Sequence, residues 1–80
     1  MIPYFTAIIQ KEDDMFVALC PELDIASQGH SVEESKNNLK EALELFFENA
    51  SESEINTRIH YELFITPLEV NVGKTAITLG

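Results

Sequence analysis

The chain has 80 residues, of which fourteen are Asp or Glu and five are Lys or Arg, giving a formal net charge of −9. A surplus of acids disfavours nucleic acid binding, because proteins hold phosphate backbones by neutralising them with Lys and Arg. We therefore expect no direct nucleic acid binding by this chain. The charge instead favours encounter with a basic partner.

The length predicts a single domain over residues 1–80, since chains this short build at most one hydrophobic core. Hydrophobic residues make up 45% of the sequence, which argues against a disordered chain. No apolar run approaches the roughly 18 residues that span a bilayer, and no signal peptide pattern opens the sequence. Cys20 is the only cysteine, so an intrachain disulfide is impossible. Together these features predict a cytoplasmic protein that does not contact membranes.

Three strands are predicted in the first third of the chain. Tyr4–Gln10 is rich in aromatic and β-branched residues, and a polar turn at residues 11–14 separates it from a second strand at Met15–Cys20. Pro21 ends the second strand, because proline has no N–H to donate to a sheet ladder. A short third strand is expected at Ile25–Gln28.

A helix is predicted from Ser31 onward. Ser31 and Glu34 match a capping box, in which each side chain satisfies a backbone N–H near the helix start. Small and apolar residues then recur on one stripe at helical spacing. The stripe consists of Val32, Ser35, Leu39, Ala42, Leu43, Phe46 and Ala50. The polar stretch at Ser51–Thr57 is interpreted as a connection.

A fourth strand is predicted at Tyr61–Thr66, with an edge or bulge at Pro67 and a continuation over residues 68–72. Residues 75–79 are interpreted as a short final strand or a tail. The predicted class is α+β in the order strand-strand-strand-helix-strand, with one helix packed on a small mixed sheet. A right-handed crossover through the helix would make the fourth strand parallel to a neighbour.

The first two strands are apolar at both odd and even positions, whereas a sheet with one solvated face alternates more cleanly. A single helix covers only one face of a sheet. We therefore expect another copy to cover the second face, in a homo-oligomer that is a dimer or larger. Leu45 lies on the polar side of the helix. It is interpreted either as an ordinary exposed leucine or as a contact to a partner.

Acidic residues cluster near the predicted loops, and paired carboxylates could bind a metal ion or act as acid and base. Their spacing matches no known ligand pattern, and Asp is common in turns for local hydrogen bonding. His30 and His60 also lack partners at metal-ligand spacing. We predict no catalytic residue, no metal site and no cofactor. The carboxylates are candidates for contacting a basic partner, and they are Asp13, Asp14, Glu22 and Asp24.

Several motifs resemble those of HicB-like antitoxins. The run YFTAII at residues 4–9, followed by MFVALCPELD at residues 15–24, is similar to the opening hairpin of that family. The segments ASQG at residues 26–29 and SVEE at residues 31–34 match its Ser-x-Gly turn and capped helix. The helix continues with NLKEALEL at residues 38–45. The resemblance covers about the first 50 residues.

The resemblance implies a partial ribonuclease-H-like fold without a nuclease centre. It also implies a HicA-like toxin as partner, since family members neutralise such small basic proteins, which have a double-stranded-RNA-binding fold and cleave mRNA. Many members carry a C-terminal DNA-binding domain. This sequence shows no helical pattern after the fourth strand, so we expect a short, stand-alone member without promoter binding. The family often has Pro-Gly after the leucine at position 23, where this chain has Asp24-Ile25.

The sequence favours one of two functions. The first is an antitoxin-like module that covers the RNA-binding surface of a toxin, with Leu45 and the four loop carboxylates as contact residues. The second is an orphan structural or regulatory module that only self-associates. A third function, a metal-dependent nuclease suggested by the ribonuclease-H-like fold, is not expected. A fold alone does not carry a function, and three consecutive acids occur in the sequence only at the hairpin turn.

Overall fold

The computed structural model describes residues 3–73. Three strands form one antiparallel sheet in the order β1-β2-β3, and a long helix follows them. The elements are β1 (Ile8–Glu12), β2 (Met15–Cys20), β3 (Ile25–Gly29), α1 (Val32–Asn49) and α2 (Glu52–Arg58). The predicted α+β class is confirmed, as is the order of three strands followed by a helix.

The β1–β2 hairpin is tighter than predicted. Glu12 pairs with Met15, which leaves Asp13 and Asp14 as a two-residue turn. Asp13 has φ 54°, a left-handed conformation that Asp tolerates better than most residues. β1 starts at Ile8 rather than Tyr4. Ile8 pairs with Leu19, one residue before the end of β2, so β2 is too short to pair with Tyr4, Phe5 and Thr6.

A close backbone approach joins β3 to α1 at Gly29. A Cβ atom on Gly29 would lie 2.6 Å from the Ser35 backbone nitrogen and 2.9 Å from the Glu34 carbonyl carbon, so only glycine fits. Ser35 is fully buried there, and its hydroxyl donates to the Val32 carbonyl at 2.9 Å. The Asn38 amide donates to the Gln28 carbonyl at 2.8 Å, which fixes the helix along the strand.

The helix start shows the Ser31 half of the predicted capping box. Ser31 is the N-cap of α1, and its Oγ accepts from the Glu34 N–H at 3.0 Å. The core then lies between α1 and one face of the sheet. Its buried members are Ala18, Cys20, Leu23 and Leu39. Half-buried aromatic side chains close its edge, with the Phe5 and Phe46 rings lying 5.5 Å and 5.4 Å from the Phe47 ring.

The prediction of an irregular connection at Ser51–Thr57 was wrong, because these residues lead into and form most of α2. Ser51 is its N-cap and accepts from the Glu54 N–H at 3.1 Å, repeating the Ser-x-x-Glu pattern that opens α1. At the other end, Arg58 lies 5.1 Å from the Phe46 ring centroid and donates to the Leu23 carbonyl at 3.0 Å. These two contacts fasten α2 to the body of the fold.

The prediction of a fourth strand at Tyr61–Thr66 was also wrong. Residues 61–72 form no ladder with any described strand, so the described sheet is purely antiparallel rather than mixed. A strand forms only where it has an adjacent strand to pair with. The sequence pattern of residues 61–72 shows strand propensity, but it does not provide that partner. Pro67 further removes one N–H from the segment. The predicted final strand or tail at residues 75–79 lies outside the described residues.

We expect Gly29→Ala to lower the free energy of unfolding by about 2 kcal/mol, the scale of overpacking in a tight contact. The added methyl group would press on the α1 backbone, which cannot rotate away. Urea denaturation at pH 7 measures the change. A Gly29→Ala variant as stable as the parent would contradict the close approach.

Candidate protein-binding surfaces

The four candidate carboxylates do not form one acidic face. Asp13 and Asp14 occupy the β1–β2 turn, while Asp24 lies in the β2–β3 turn at the other end of β2. Six residues of strand separate the two turns by roughly 17 Å. All three aspartates are exposed, and Asp24 has φ 56°. They provide two separate negative points on the surface.

Glu22 is half-buried, and its carboxylate accepts several hydrogen bonds from within the chain. Its carboxylate accepts from the Thr6 N–H at 3.1 Å to each oxygen and from the Thr6 hydroxyl at 2.6 Å. The Cys20 thiol donates to the same carboxylate at 3.4 Å, and the His60 N–H donates to the Glu22 carbonyl at 2.7 Å. We call this set of contacts the Glu22 clamp. It makes Glu22 a structural residue rather than part of an exposed acidic surface.

The clamp shifts the protonation of two groups. Burial alone would raise the pKa of Glu22, but the hydrogen bonds from Thr6, its own backbone and Cys20 outweigh burial and lower that pKa below its ordinary value. Burial also raises the pKa of the Cys20 thiol, and the neighbouring Glu22 carboxylate adds to the rise. Cys20 is therefore a protonated, buried thiol at neutral pH, which is the wrong state for a nucleophile.

The outer side of α1 presents an apolar residue among acids. Leu45 is 58% exposed, and Glu41 and Glu48 lie one turn away from it on the same side of the helix. Both glutamates are exposed. We call these three residues the α1 outer patch. It combines an apolar anchor with negative charge, which is the chemistry that a basic protein surface complements.

An apolar groove of about 550 Å³ opens between residues 3–7 and the side of α1. We call it the α1 groove. Its apolar lining includes Phe5, Leu39, Leu43, Phe47 and Tyr61. Lys36, Lys40 and Glu44 also line it, and all three are exposed. The groove therefore offers apolar contact together with a small excess of positive charge in a chain whose net charge is −9.

Residues 61–73, the C-terminal arm, leave the groove after Tyr61 and are exposed throughout. Six large apolar side chains of the arm are each more than half exposed. They are Tyr61, Phe64, Ile65, Leu68, Val70 and Val72. A concentration of exposed apolar side chains on this scale marks an interaction segment.

The sheet face opposite α1 is also apolar in part. Ile8, Leu19 and Ala26 form a row across the three strands on this face. Ile8 is 40% exposed, and Gln10 and Gln28 flank the row on the same side of the sheet. Within residues 3–73 no element covers this face, and its coverage by another copy stays a prediction.

Among residues 3–73, no three or more His, Cys, Asp or Glu side chains converge closely enough to hold a metal ion. Over the same described range, neither helix has both the length and the apolar character needed to cross a bilayer. The surfaces that stand out are the α1 outer patch, the α1 groove and the arm.

This fold and these surfaces define a class of protein: a small acidic α+β domain with an unpaired apolar arm. The chain is 34% identical over 65 residues to a UPF0150 protein of Helicobacter pylori strain J99, in an alignment covering 80% of this chain and 90% of that relative. The chain belongs to the UPF0150 family. No protein-family model matches it, and no solved structure matches it.

We expect Glu22→Gln to lower the free energy of unfolding by about 1 kcal/mol at pH 7, because a charged acceptor forms stronger hydrogen bonds than a neutral one. The folded-state pKa of Glu22 is lowered, so its stabilisation is complete above the ordinary value of about 4.3 and is lost as pH falls below that value and through the lower folded-state pKa. The difference in unfolding free energy between parent and variant should therefore be smaller at pH 3 than at pH 7. Urea denaturation at both pH values measures this, at one protein concentration.

Glu12→Gln makes the same chemical change at an exposed position of β1, and it should leave the stability unchanged at either pH. Two results would refute the clamp. One is an equal free energy of unfolding for the parent and Glu22→Gln at pH 7, and the other is a difference between them that is as large at pH 3 as at pH 7.

Proposed function

We propose that this chain is a HicB-like antitoxin module, which binds a small basic HicA-type toxin and neutralises it by covering the toxin's RNA-binding surface. The observation that carries the proposal is the α1 outer patch, an apolar residue among acids on a chain of net charge −9. Support also comes from the motif resemblance at residues 4–45. Membership of the UPF0150 family is compatible with it.

The motif residues themselves have architectural roles. Gly29 permits the approach of α1, Ser31 caps it, and Glu22 ties the β2–β3 turn to Thr6. A partner surface has to lie on residues that these roles leave free. Leu45 and its acidic neighbours meet that condition, because they face away from the sheet.

The α1 outer patch suits a partner that presents basic residues around a small apolar depression. Interfaces draw most of their binding energy from a few central apolar or aromatic anchors, and charges around them set orientation. Leu45 would be the anchor, with Glu41 and Glu48 facing Lys or Arg of the toxin. Neutralisation would then be steric, because the same basic residues could no longer reach RNA phosphates.

The three exposed aspartates have a different part in this proposal. Asp13 and Asp14 are separated from Asp24 by more than the Debye length of about 8 Å at physiological salt, so they do not act as one cluster. They would accelerate encounter with a basic toxin rather than contact it together. Their contribution would decrease as the salt concentration rises.

The direct test mixes this chain with a HicA-like protein at moderate salt and follows binding by calorimetry. Co-expression of the two proteins should restore growth that the toxin alone arrests. The absence of both a complex and rescue would overturn the proposal. The alternative function, an orphan module that only self-associates, would then be the better account. The exposed apolar arm favours the self-association that this alternative requires.

We expect Leu45→Ala combined with Glu41→Lys to weaken toxin binding at least tenfold, because it removes an anchor and reverses a charge at the proposed centre. Asp13→Asn with Asp14→Asn is the matched control, since Asn tolerates the left-handed turn conformation. The control should slow association and reduce its salt dependence while changing the dissociation rate little. Stopped-flow association and calorimetry measure both. A larger loss of affinity in the control would place the contact at the hairpin instead.

A further inference from the structure

We propose that the C-terminal arm of one copy docks into the α1 groove of a second copy, where it pairs with the free edge formed by residues 4–7 and β1. In the described residues of one chain, the arm is exposed and the α1 groove is open. Two chains related by a two-fold axis would fill both grooves with both arms.

The arm needs a partner because of its exposed apolar surface. Phe64 is 89% exposed and Leu68 is 83% exposed, and four more large apolar side chains of the arm exceed half exposure. Together the six expose on the order of 800 Å², which is the area each protein buries in an interface of standard size. A reciprocal exchange would bury about that area twice.

The groove has the size and the polarity of a binding site. Its volume of about 550 Å³ lies within the range of roughly 300–1,000 Å³ typical of ligand pockets. Phe5, Leu43 and Phe47 supply apolar walls for inserted side chains. Residues 3–7 form one side of the groove and belong to no described strand. Apart from the Thr6 N–H, which donates to Glu22, their backbone groups are left for pairing.

The arm has the pattern of a strand that is added to a sheet edge. Leu68, Val70 and Val72 alternate with Glu69 and Asn71, so one side is apolar and the other is polar. Extended peptides that join a sheet edge gain affinity from main-chain hydrogen bonds and specificity from alternate side chains in pockets. β1 is an edge strand of the described sheet. Pro67 is compatible with this position, because edge strands tolerate a missing N–H.

Charge favours this arm as the occupant. The chain has five Lys and Arg residues in all, and two of them, Lys36 and Lys40, line the groove. Residues 61–73 contain Glu62 and Glu69 and no Lys or Arg. Glu44 also lines the groove, so its charged lining has one net positive charge. An acidic arm therefore meets a weakly positive groove, although the chain as a whole repels its copies.

The start of the arm explains why a second copy is the better acceptor. The Glu22 clamp holds His60 at the β2–β3 turn by a 2.7 Å hydrogen bond. From there the chain touches its own groove only at Tyr61, and the rest of the arm stays exposed. The groove is thus open in the same chain whose arm projects into solvent.

The first experiment measures the molar mass of the full chain by size-exclusion chromatography with light scattering over a dilution series. We expect a dimer of twice the 9.0 kDa chain mass that dissociates on dilution. Phe64→Glu with Leu68→Glu should give a monomer of unchanged helix content. Leu45→Glu, the same type of change at an exposed leucine of α1, should leave the dimer intact.

A charge exchange tests the docking site itself. Lys36→Glu with Lys40→Glu should weaken the dimer about tenfold, the combined effect of two exposed ion pairs. Adding Glu62→Lys and Glu69→Lys to the same chain should restore it. This restoration does not depend on whether the apolar variant folds.

Three results would overturn the proposal. The first is a monomer at every concentration. If the arm of that monomer is protected from protease, the arm folds onto its own chain, and if it is cleaved, the arm stays free. A dimer that survives Phe64→Glu with Leu68→Glu would assign self-association to the open sheet face. A charge exchange without restoration would remove Lys36 and Lys40 from the contact. No toxin takes part in these measurements, so they are independent of the proposed function.

Discussion

The carboxylate of Glu22 is the interaction on which the arrangement of the remaining segments depends. Its side chain binds Thr6 and Cys20, and its carbonyl accepts from His60. The partners come from the start of the chain, from the adjacent end of β2 and from the residues after α2, so one residue of a turn positions two distant segments beside β2. The α1 groove lies between residues 3–7 and α1, and Tyr61 lines it. The clamp therefore places both the groove and the start of the arm.

Local signals predicted much of the fold, and long-range contacts limited the rest. The bounds of β2 and the Ser31 cap follow from neighbouring residues, so the sequence alone was sufficient. The second Ser-x-x-Glu pattern at Ser51 was equally readable, and α2 could have been predicted from it. Glu22 could not be assigned its role, because Thr6 is sixteen residues away and their meeting depends on the path of the chain. The arm shows strand propensity, but propensity does not specify which edge it joins.

The family resemblance predicts architecture better than it predicts binding. Gly29 and Ser31 belong to the matched motifs, and both fix how α1 meets the sheet. Glu22 also belongs to a matched motif. Its carboxylate accepts internal hydrogen bonds, which lower its pKa. Charge and loop position had marked it as a contact residue. An acidic side chain near a turn is a contact candidate only when its lone pairs are free, which the sequence does not show.

The two proposed contacts use different sides of the same helix, so they are compatible. Leu43 lines the α1 groove and Leu45 belongs to the outer patch. They are two positions apart, which is about 200° around a helix of 3.6 residues per turn. A dimer joined through its grooves would leave both outer patches open to a partner. Two sites on one particle raise the effective concentration for a second contact, so self-association would strengthen capture of a basic partner that is itself oligomeric.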